Sequence, residues 1–262
     1  MKDKKLNVKI IGNGEPVVFI HSFLWDINMW EPQIKELSKK YKCILIDLWG
    51  HGESDLLDSS EEYPLEFLAD DVMKTIESLN IDKYNYIGLS VGGMLAPYLL
   101  KKHSDKIDKI VIMDSYSGVE GKKEKDKYFM MFDLIEQIQY IPEKLASEIV
   151  PMFFSYKTIE KKEPIVEKFR ESLLNMKKEN INTIVSVGKG IFNRKNELDI
   201  YKETDKELFF MVGEDDVPRP YSETLEMHHF AKNSQFEVIP DAGHISNLEN
   251  PNFVTKKLLE FL

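Results

Sequence analysis

With 262 residues, a net charge of −10 and a pI near 5.2, the chain argues against nucleic acid or an anionic membrane surface as its main partner. Its 42% hydrophobic content is enough for a sizeable core, in one large α/β domain or a core domain with an insertion. No apolar run reaches the length of a membrane span, no signal region follows Met1-Lys2-Asp3-Lys4-Lys5, and the single cysteine, Cys43, excludes an intramolecular disulfide, so a cytoplasmic protein is expected.

In chain order, Leu6, Val8 and Ile10 alternate with polar residues as in a strand, and Gly12-Asn13-Gly14 reads as a hairpin turn. The continuous apolar run 17–20 predicts a strand buried on both faces. His21-Ser22-Phe23, Trp25 and Trp30 follow, then a helix over about 32–39. A strand over 42–46, with Cys43 buried and inert, ends in Asp47-Leu48-Trp49-Gly50-His51-Gly52-Glu53-Ser54-Asp55. Pro64 opens a helix whose apolar residues Leu65, Leu68, Val72, Ile76 and Leu79 recur at helical period. A strand over 84–87 then runs into Gly88-Leu89-Ser90-Val91-Gly92, and an apolar helical pattern follows over 94–100.

That layout suits a nucleophilic serine. A strand that reverses at once into a helix holds Ser90 in strained backbone geometry and pushes its hydroxyl clear of the sheet. The new helix aims free N–H groups and its positive dipole end at the space where an oxyanion would form, with the Val91 N–H as one donor.

After a strand over 107–113 the strand pattern lapses near Ser117 and resumes near Lys206. The intervening stripes, among them Phe129, Phe132, Ile135, Ile138 and then Leu145, Ile149, Met152, Phe153, predict helices inserted into the core. The expected division is a core of residues 1–117 and 202–262 with a helical cap, or lid, over 118–201. A strand over 208–212, Gly213-Glu214-Asp215-Asp216, a helix over 221–230, a strand over 235–239 and a helix over 253–261 complete the chain. Strands alternating with helices indicate a mostly parallel sheet covered on both faces.

A serine nucleophile needs a base and a group to orient that base. His244, in Pro240-Asp241-Ala242-Gly243-His244, is the candidate base, and Asp216 the candidate acid. Each follows a strand, and in a parallel sheet such ends share one edge. Asp215 and Asp114 compete with Asp216, with turn formation and helix capping as their plainer roles. His51, His103, His228 and His229 read as packing or surface residues, as do the tryptophans, with Trp25 the best exception. No metal-ligand spacing and no Gly-x-Gly-x-x-Gly turn appear, so neither metal nor dinucleotide is expected.

On these residues the chain resembles the α/β-hydrolase family over nearly its whole length. The resemblance is carried by Gly88-Leu89-Ser90-Val91-Gly92-Gly93, by the loop 47–54, by Gly213-Glu214-Asp215-Asp216 with Pro220, and by Gly243-His244, Glu249, Pro251 and Phe261. It implies an α/β-hydrolase sheet flanked by helices, Ser90 as nucleophile, Asp216 as acid, His244 as base and no cofactor. The family's acid position, three residues past the glycine, favours Asp216 over Asp215, and some relatives place it where Asp114 stands. The resemblance also implies the Phe23 N–H as the second oxyanion donor. Most relatives have His-Gly where this chain has His21-Ser22, which brings a Cβ and a hydroxyl into that loop.

The activity implied is hydrolysis of a small carboxylic ester or lactone, with carbon–carbon bond hydrolysis of diketones and non-enzymatic small-molecule sensing as alternatives. Trp25, Phe129, Phe132, Met152 and Phe153 are the candidate pocket residues. Only three arginines, Arg170, Arg194 and Arg219, are present, which weighs against a doubly anionic substrate.

Overall fold

Short aliphatic runs bounded by turn residues become strands, and the amphipathic stretches between them become the helices that cover them. The computed structural model describes residues 4–58 and 61–262. The strands are β1 (Val8–Ile11), β2 (Glu15–Ile20), β3 (Tyr41–Ile46), β4 (Tyr84–Leu89), β5 (Ile107–Met113), β6 (Glu207–Gly213) and β7 (Ser234–Ile239). They form one sheet in the order β1-β3-β2-β4-β5-β6-β7, parallel except for β1. The central strands are covered on both faces: every residue of β4 is buried, as are Val17–Ile20 of β2 and Leu208–Gly213 of β6.

The helices in chain order are α1 (Glu31–Leu37), α2 (Leu65–Ser78), α3 (Val91–His103), α4 (Lys122–Ile138), α5 (Glu143–Phe153), α6 (Tyr156–Glu160), α7 (Pro164–Leu174), α8 (Lys178–Phe192), α9 (Ile200–Glu203), α10 (Tyr221–Phe230), α11 (Ser246–Glu249) and α12 (Pro251–Phe261). Six of them, α4 to α9, come between β5 and β6, with α4 packed on α8 and α5 on α7. The ends of this segment meet where the Glu197 N–H donates to the Ser117 carbonyl at 2.9 Å.

The turn at Gly12-Asn13-Gly14 does not make a hairpin. β1 pairs antiparallel with β3 rather than with β2. The two glycines, at φ +82° and +118°, press against the chain between α1 and β3: a Cβ on Gly12 would lie 2.4 Å from the Ser38 carbonyl oxygen, and one on Gly14 2.2 Å from that of Lys40. Close approach to that segment carries β1 across to the outer side of β3. Cys43 is buried, and burial pushes its thiol up to about 12, so it is inert packing.

Candidate active site

Ser90 stands between the last residue of β4 and the first of α3, at φ 55° and ψ −113°. A non-glycine residue held there costs about 1–3 kcal/mol, and the surroundings over-determine it. Its N–H donates to the Met113 carbonyl at 2.8 Å, and its own carbonyl accepts from Met94 N–H at 3.0 Å and from the Ser115 hydroxyl at 2.7 Å. A Cβ on Gly88 would lie 2.3 Å from the Gly92 backbone, and one on Gly92 2.5 Å from the Ile20 carbonyl. The glycines of the elbow therefore let strand, turn and helix touch. Val91 is the first residue of α3, so its N–H is among the donors a helix start leaves without an intrahelical partner.

The loops after β6 and β7 complete a chain of polar contacts. His244 Nε2 lies 2.9 Å from Ser90 Oγ, and its Nδ1 lies 2.9 Å from Asp216 Oδ2. All three residues are buried, and Asp216 also accepts the Arg219 backbone N–H through Oδ1 at 2.9 Å. The Asp215 backbone N–H donates to the Ala242 carbonyl at 2.8 Å, and it is Asp216 whose carboxylate meets the ring. Asp114, at φ 47°, accepts the Gly213 N–H at 2.8 Å and meets the Ser246 hydroxyl at 2.5 Å, bracing the starts of both loops. Burial, and then the neighbouring Asp216 carboxylate, push the Asp114 carboxyl well above the usual carboxylate range.

Glu249 holds the histidine loop from beneath. One of its oxygens accepts the Gly243 N–H at 2.6 Å and the other accepts the Ser155 N–H, between α5 and α6, at 2.9 Å. The Ile245 N–H adds a bond to the Phe153 carbonyl at 3.1 Å, and the Phe153 ring packs edge-on against His244 at 5.6 Å. The inserted helices and the histidine are thus fixed to one another.

On the opposite side, two buried imidazoles hold the loop after β2. His21 accepts the Leu48 N–H at Nε2 (2.8 Å) and, through Nδ1, donates to the Ser22 carbonyl (2.7 Å). His51 accepts the Leu24 N–H at Nε2 (3.1 Å) and donates to the Trp49 carbonyl (2.8 Å). Their rings are 5.1 Å apart. Burial lowers His21 to about 4, and burial together with His21 lowers His51 to about 3, so both are neutral acceptors at pH 7. Leu24 is held at φ 67°, the Ser22 N–H points at Met29 Sδ (3.3 Å), and the Trp25 N–H donates to the Ser22 carbonyl (3.1 Å). Ser22 Oγ is buried with no hydrogen-bond partner among the described residues.

Ser90, His244 and Phe23 open into a cavity of about 90 Å³. Phe132, Met152 and Phe153 are on its wall, joined by Met94, Tyr128, Met131, Ile135, Ile149, Ile184 and Phe192. Trp25 and Phe129 are not. Trp25 stacks on Phe169 with ring centroids 4.6 Å apart, and Phe129 packs behind Phe132 at 6.3 Å. In the first case Phe169 covers one face of the indole, and in the second Phe132 stands between Phe129 and the cavity in a T-shaped contact.

Among the described residues, the one charged side chain on that wall besides His244 is Arg219. It was not predicted, nor was the buried cluster it belongs to, in which Glu120 joins Arg219 (2.6 Å) to Arg194 (2.9 Å). The residues are 74 and 99 positions from Glu120, and nothing in spacing marks such a meeting. The sequence held one faint signal, an arginine three residues beyond the candidate acid. Among the described residues no group of three or more His, Cys, Asp or Glu side chains could hold a metal, and no helix is long and apolar enough to cross a membrane.

A parallel sheet with a serine at a strand–helix elbow defines the class as a hydrolase of the α/β type. The alpha/beta hydrolase fold model matches residues 15–251, and the chain belongs to that family. It is similar to 3-oxoadipate enol-lactonase 1 of Acinetobacter baylyi, 27% identical over 251 residues that cover 95% of this chain and 89% of the relative. It also resembles the AB hydrolase superfamily protein YisY of Bacillus subtilis, 26% identical over 98% of this chain and 94% of the relative. Among solved structures, a thermophilic esterase from Thermogutta terrifontis superposes with a TM-score of 0.88 at 27% identity, covering 97% of this chain and 92% of that one. The enol-lactonase from Burkholderia xenovorans shares the fold, with a TM-score of 0.85 at 22% identity over 98% and 95% of the two chains.

Proposed function

We propose that the protein is a serine hydrolase that cleaves a small carboxylic ester or lactone through an acyl-enzyme, with Ser90, His244 and Asp216 as its triad. The observation that carries this reading is the pair of 2.9 Å contacts His244 makes, one to Ser90 Oγ and one to Asp216 Oδ2, beside a cavity that Ser90 and His244 both line. Asp216 fixes the tautomer with the proton on Nδ1, which leaves Nε2 free to take the Ser90 proton. The alkoxide attacks the carbonyl carbon, and the N–H groups of Phe23 and Val91 receive the oxyanion. Collapse of the tetrahedral intermediate breaks the bond to the leaving oxygen, which His244 protonates. Water then gives a proton to His244 as its oxygen attacks the acyl carbon, and a second collapse frees the acid and returns the proton to Ser90. No cofactor enters these steps.

In this reading residues 118–201 act as a cap over a core of 1–117 and 202–262, excluding water and supplying most of the apolar wall. Similarity to an enol-lactonase and an esterase at 27% identity supports a lactone or ester as substrate. The test is hydrolysis of p-nitrophenyl acetate by wild type, Ser90→Ala and His244→Ala. Each variant is expected to lose roughly 10³-fold or more in kcat/KM. Equal rates in wild type and Ser90→Ala overturn the reading, and a ligand that still raises Tm would then point to a sensor.

A further inference from the structure

Arg219 is the natural place to look for a substrate carboxylate, yet its charge is already spent within the fold. Its Nη2 donates to Glu120 Oε1 at 2.6 Å; its Nη1 lies 3.5 Å from Glu223 Oε2, an ionic contact without a hydrogen bond, and the charges balance by count. The second oxygen of Glu120 is taken by Arg194 Nη1 at 2.9 Å. The side chains of Arg194, Glu120 and Arg219 are 2%, 3% and 5% exposed, so solvent screens these charges little. Two guanidinium groups thus face two carboxylates. The Glu120 bond holds the Arg219 guanidinium, and Asp216 Oδ1 accepts its backbone N–H. Elsewhere the wall is aliphatic and aromatic, including Met94, Phe132, Ile149, Phe153, Ile184 and Phe192. The cavity, about 90 Å³, is well below the roughly 300 Å³ at which pockets for drug-sized ligands begin.

From this charge balance and this wall we infer that the site takes a small uncharged ester or lactone with a compact apolar acyl group, and discriminates against acyl groups that carry a carboxylate. The inference rests on the hydrolase reading above. A carboxylate brought to this wall gives up its hydration and meets a cation already neutralised, with Glu120 and Glu223 close by to repel it. An alkyl group of the same shape gains burial at no such cost. Burial raises Glu223 to about 7 against the pull of Arg219, so at pH 8 most of its carboxyl is ionised and opposes the Arg219 charge.

The test compares ethyl 4-methylpentanoate with monoethyl succinate, which has a carboxylate where the first has an isopropyl group. Rates are followed by pH-stat at pH 8 after subtraction of Ser90→Ala. The uncharged ester is expected to lead by roughly 100-fold or more in kcat/KM, the scale of an unfavourable juxtaposition of like charges. Comparable rates, or a lead for the succinate, overturn the substrate class and leave the hydrolase reading standing. Hydrolysis of neither also overturns it, and p-nitrophenyl acetate then shows whether the hydrolase reading has failed as well. In Glu223→Gln, which releases part of the Arg219 charge, the ratio is expected to narrow by about tenfold. An unchanged ratio in that variant overturns the charge-pairing basis of the inference.

Discussion

Asp216 and Asp114 are both buried beside the histidine loop, and only Asp216 touches the ring: its Oδ2 is 2.9 Å from His244 Nδ1, while Asp114 gives its oxygens to Gly213 and Ser246. The acid role proposed for Asp216 therefore separates cleanly from the bracing role of Asp114. Asp216→Asn should lower kcat by roughly 10³-fold or more, because an amide favours the wrong imidazole tautomer. Asp114→Asn, which can still accept from Gly213 and can donate to Ser246, should stay within about tenfold of wild type. Steady-state kinetics on one ester decide the matter, and the reverse order would move the acid to Asp114.

The same pair gives a stability prediction. Asp114 holds its proton in the folded state at pH values where the unfolded chain has lost it. The folded protein binds the extra proton, so stability from this group falls as pH rises above the unfolded carboxylate value near 4. Asp114→Asn removes that ionisation, and should flatten the fall in Tm as pH rises above about 4. A steeper fall in the variant would contradict the protonated state assigned here.

The two imidazoles behind the loop after β2 have the opposite sign. His21 and His51 are lowered to about 4 and about 3, so the unfolded chain takes up protons that the fold refuses. Their contribution is whole above the unfolded value near 6.5 and is lost as pH falls toward 4. For His21 alone the loss is on the order of 3 kcal/mol. His51→Gln, whose amide oxygen can accept the Leu24 N–H, should reduce the pH dependence of urea-unfolding midpoints over that window. No change in slope would mean that His51 is already charged in the fold.

Glu249 ties Gly243 to Ser155 through its two oxygens. Glu249→Ala leaves two buried N–H groups without their partner, at about 1–3 kcal/mol each. It should lower both Tm and kcat, since the loop carrying His244 loses its tether to the inserted helices. Glu249→Gln keeps one acceptor and should recover part of both. Loss of Tm with kcat untouched would show that the tether does not position His244.

Ser22 buries a hydroxyl with no hydrogen-bond partner among the described residues. Removing an unsatisfied polar group should stabilise, so Ser22→Ala is expected to raise stability by about 1 kcal/mol in urea unfolding. The backbone of the loop is held by His21, His51 and Met29 rather than by this hydroxyl, so hydrolysis should change little. A destabilised variant would show that the hydroxyl is satisfied after all.

Strand and helix order, the parallel sheet and the family were legible because each depends on local pattern: apolar runs of strand length, helical periodicity, and glycines at a turn that admits no Cβ. The positions of Ser90, Asp216 and His244 at strand ends were legible for the same reason, since a parallel sheet brings those ends to one edge. The pairing of β1 with β3 was not, because the choice of partner rests on how closely Gly12 and Gly14 approach the chain leaving α1. Nor was the withdrawal of Trp25 and Phe129 from the cavity wall, or the meeting of Glu120 with Arg194 and Arg219. A helix stripe says which face is buried and not against what. Burial partners among residues 74 and 99 positions apart are chosen only when the inserted helices pack onto the core, and that packing sets the charge and shape a substrate meets.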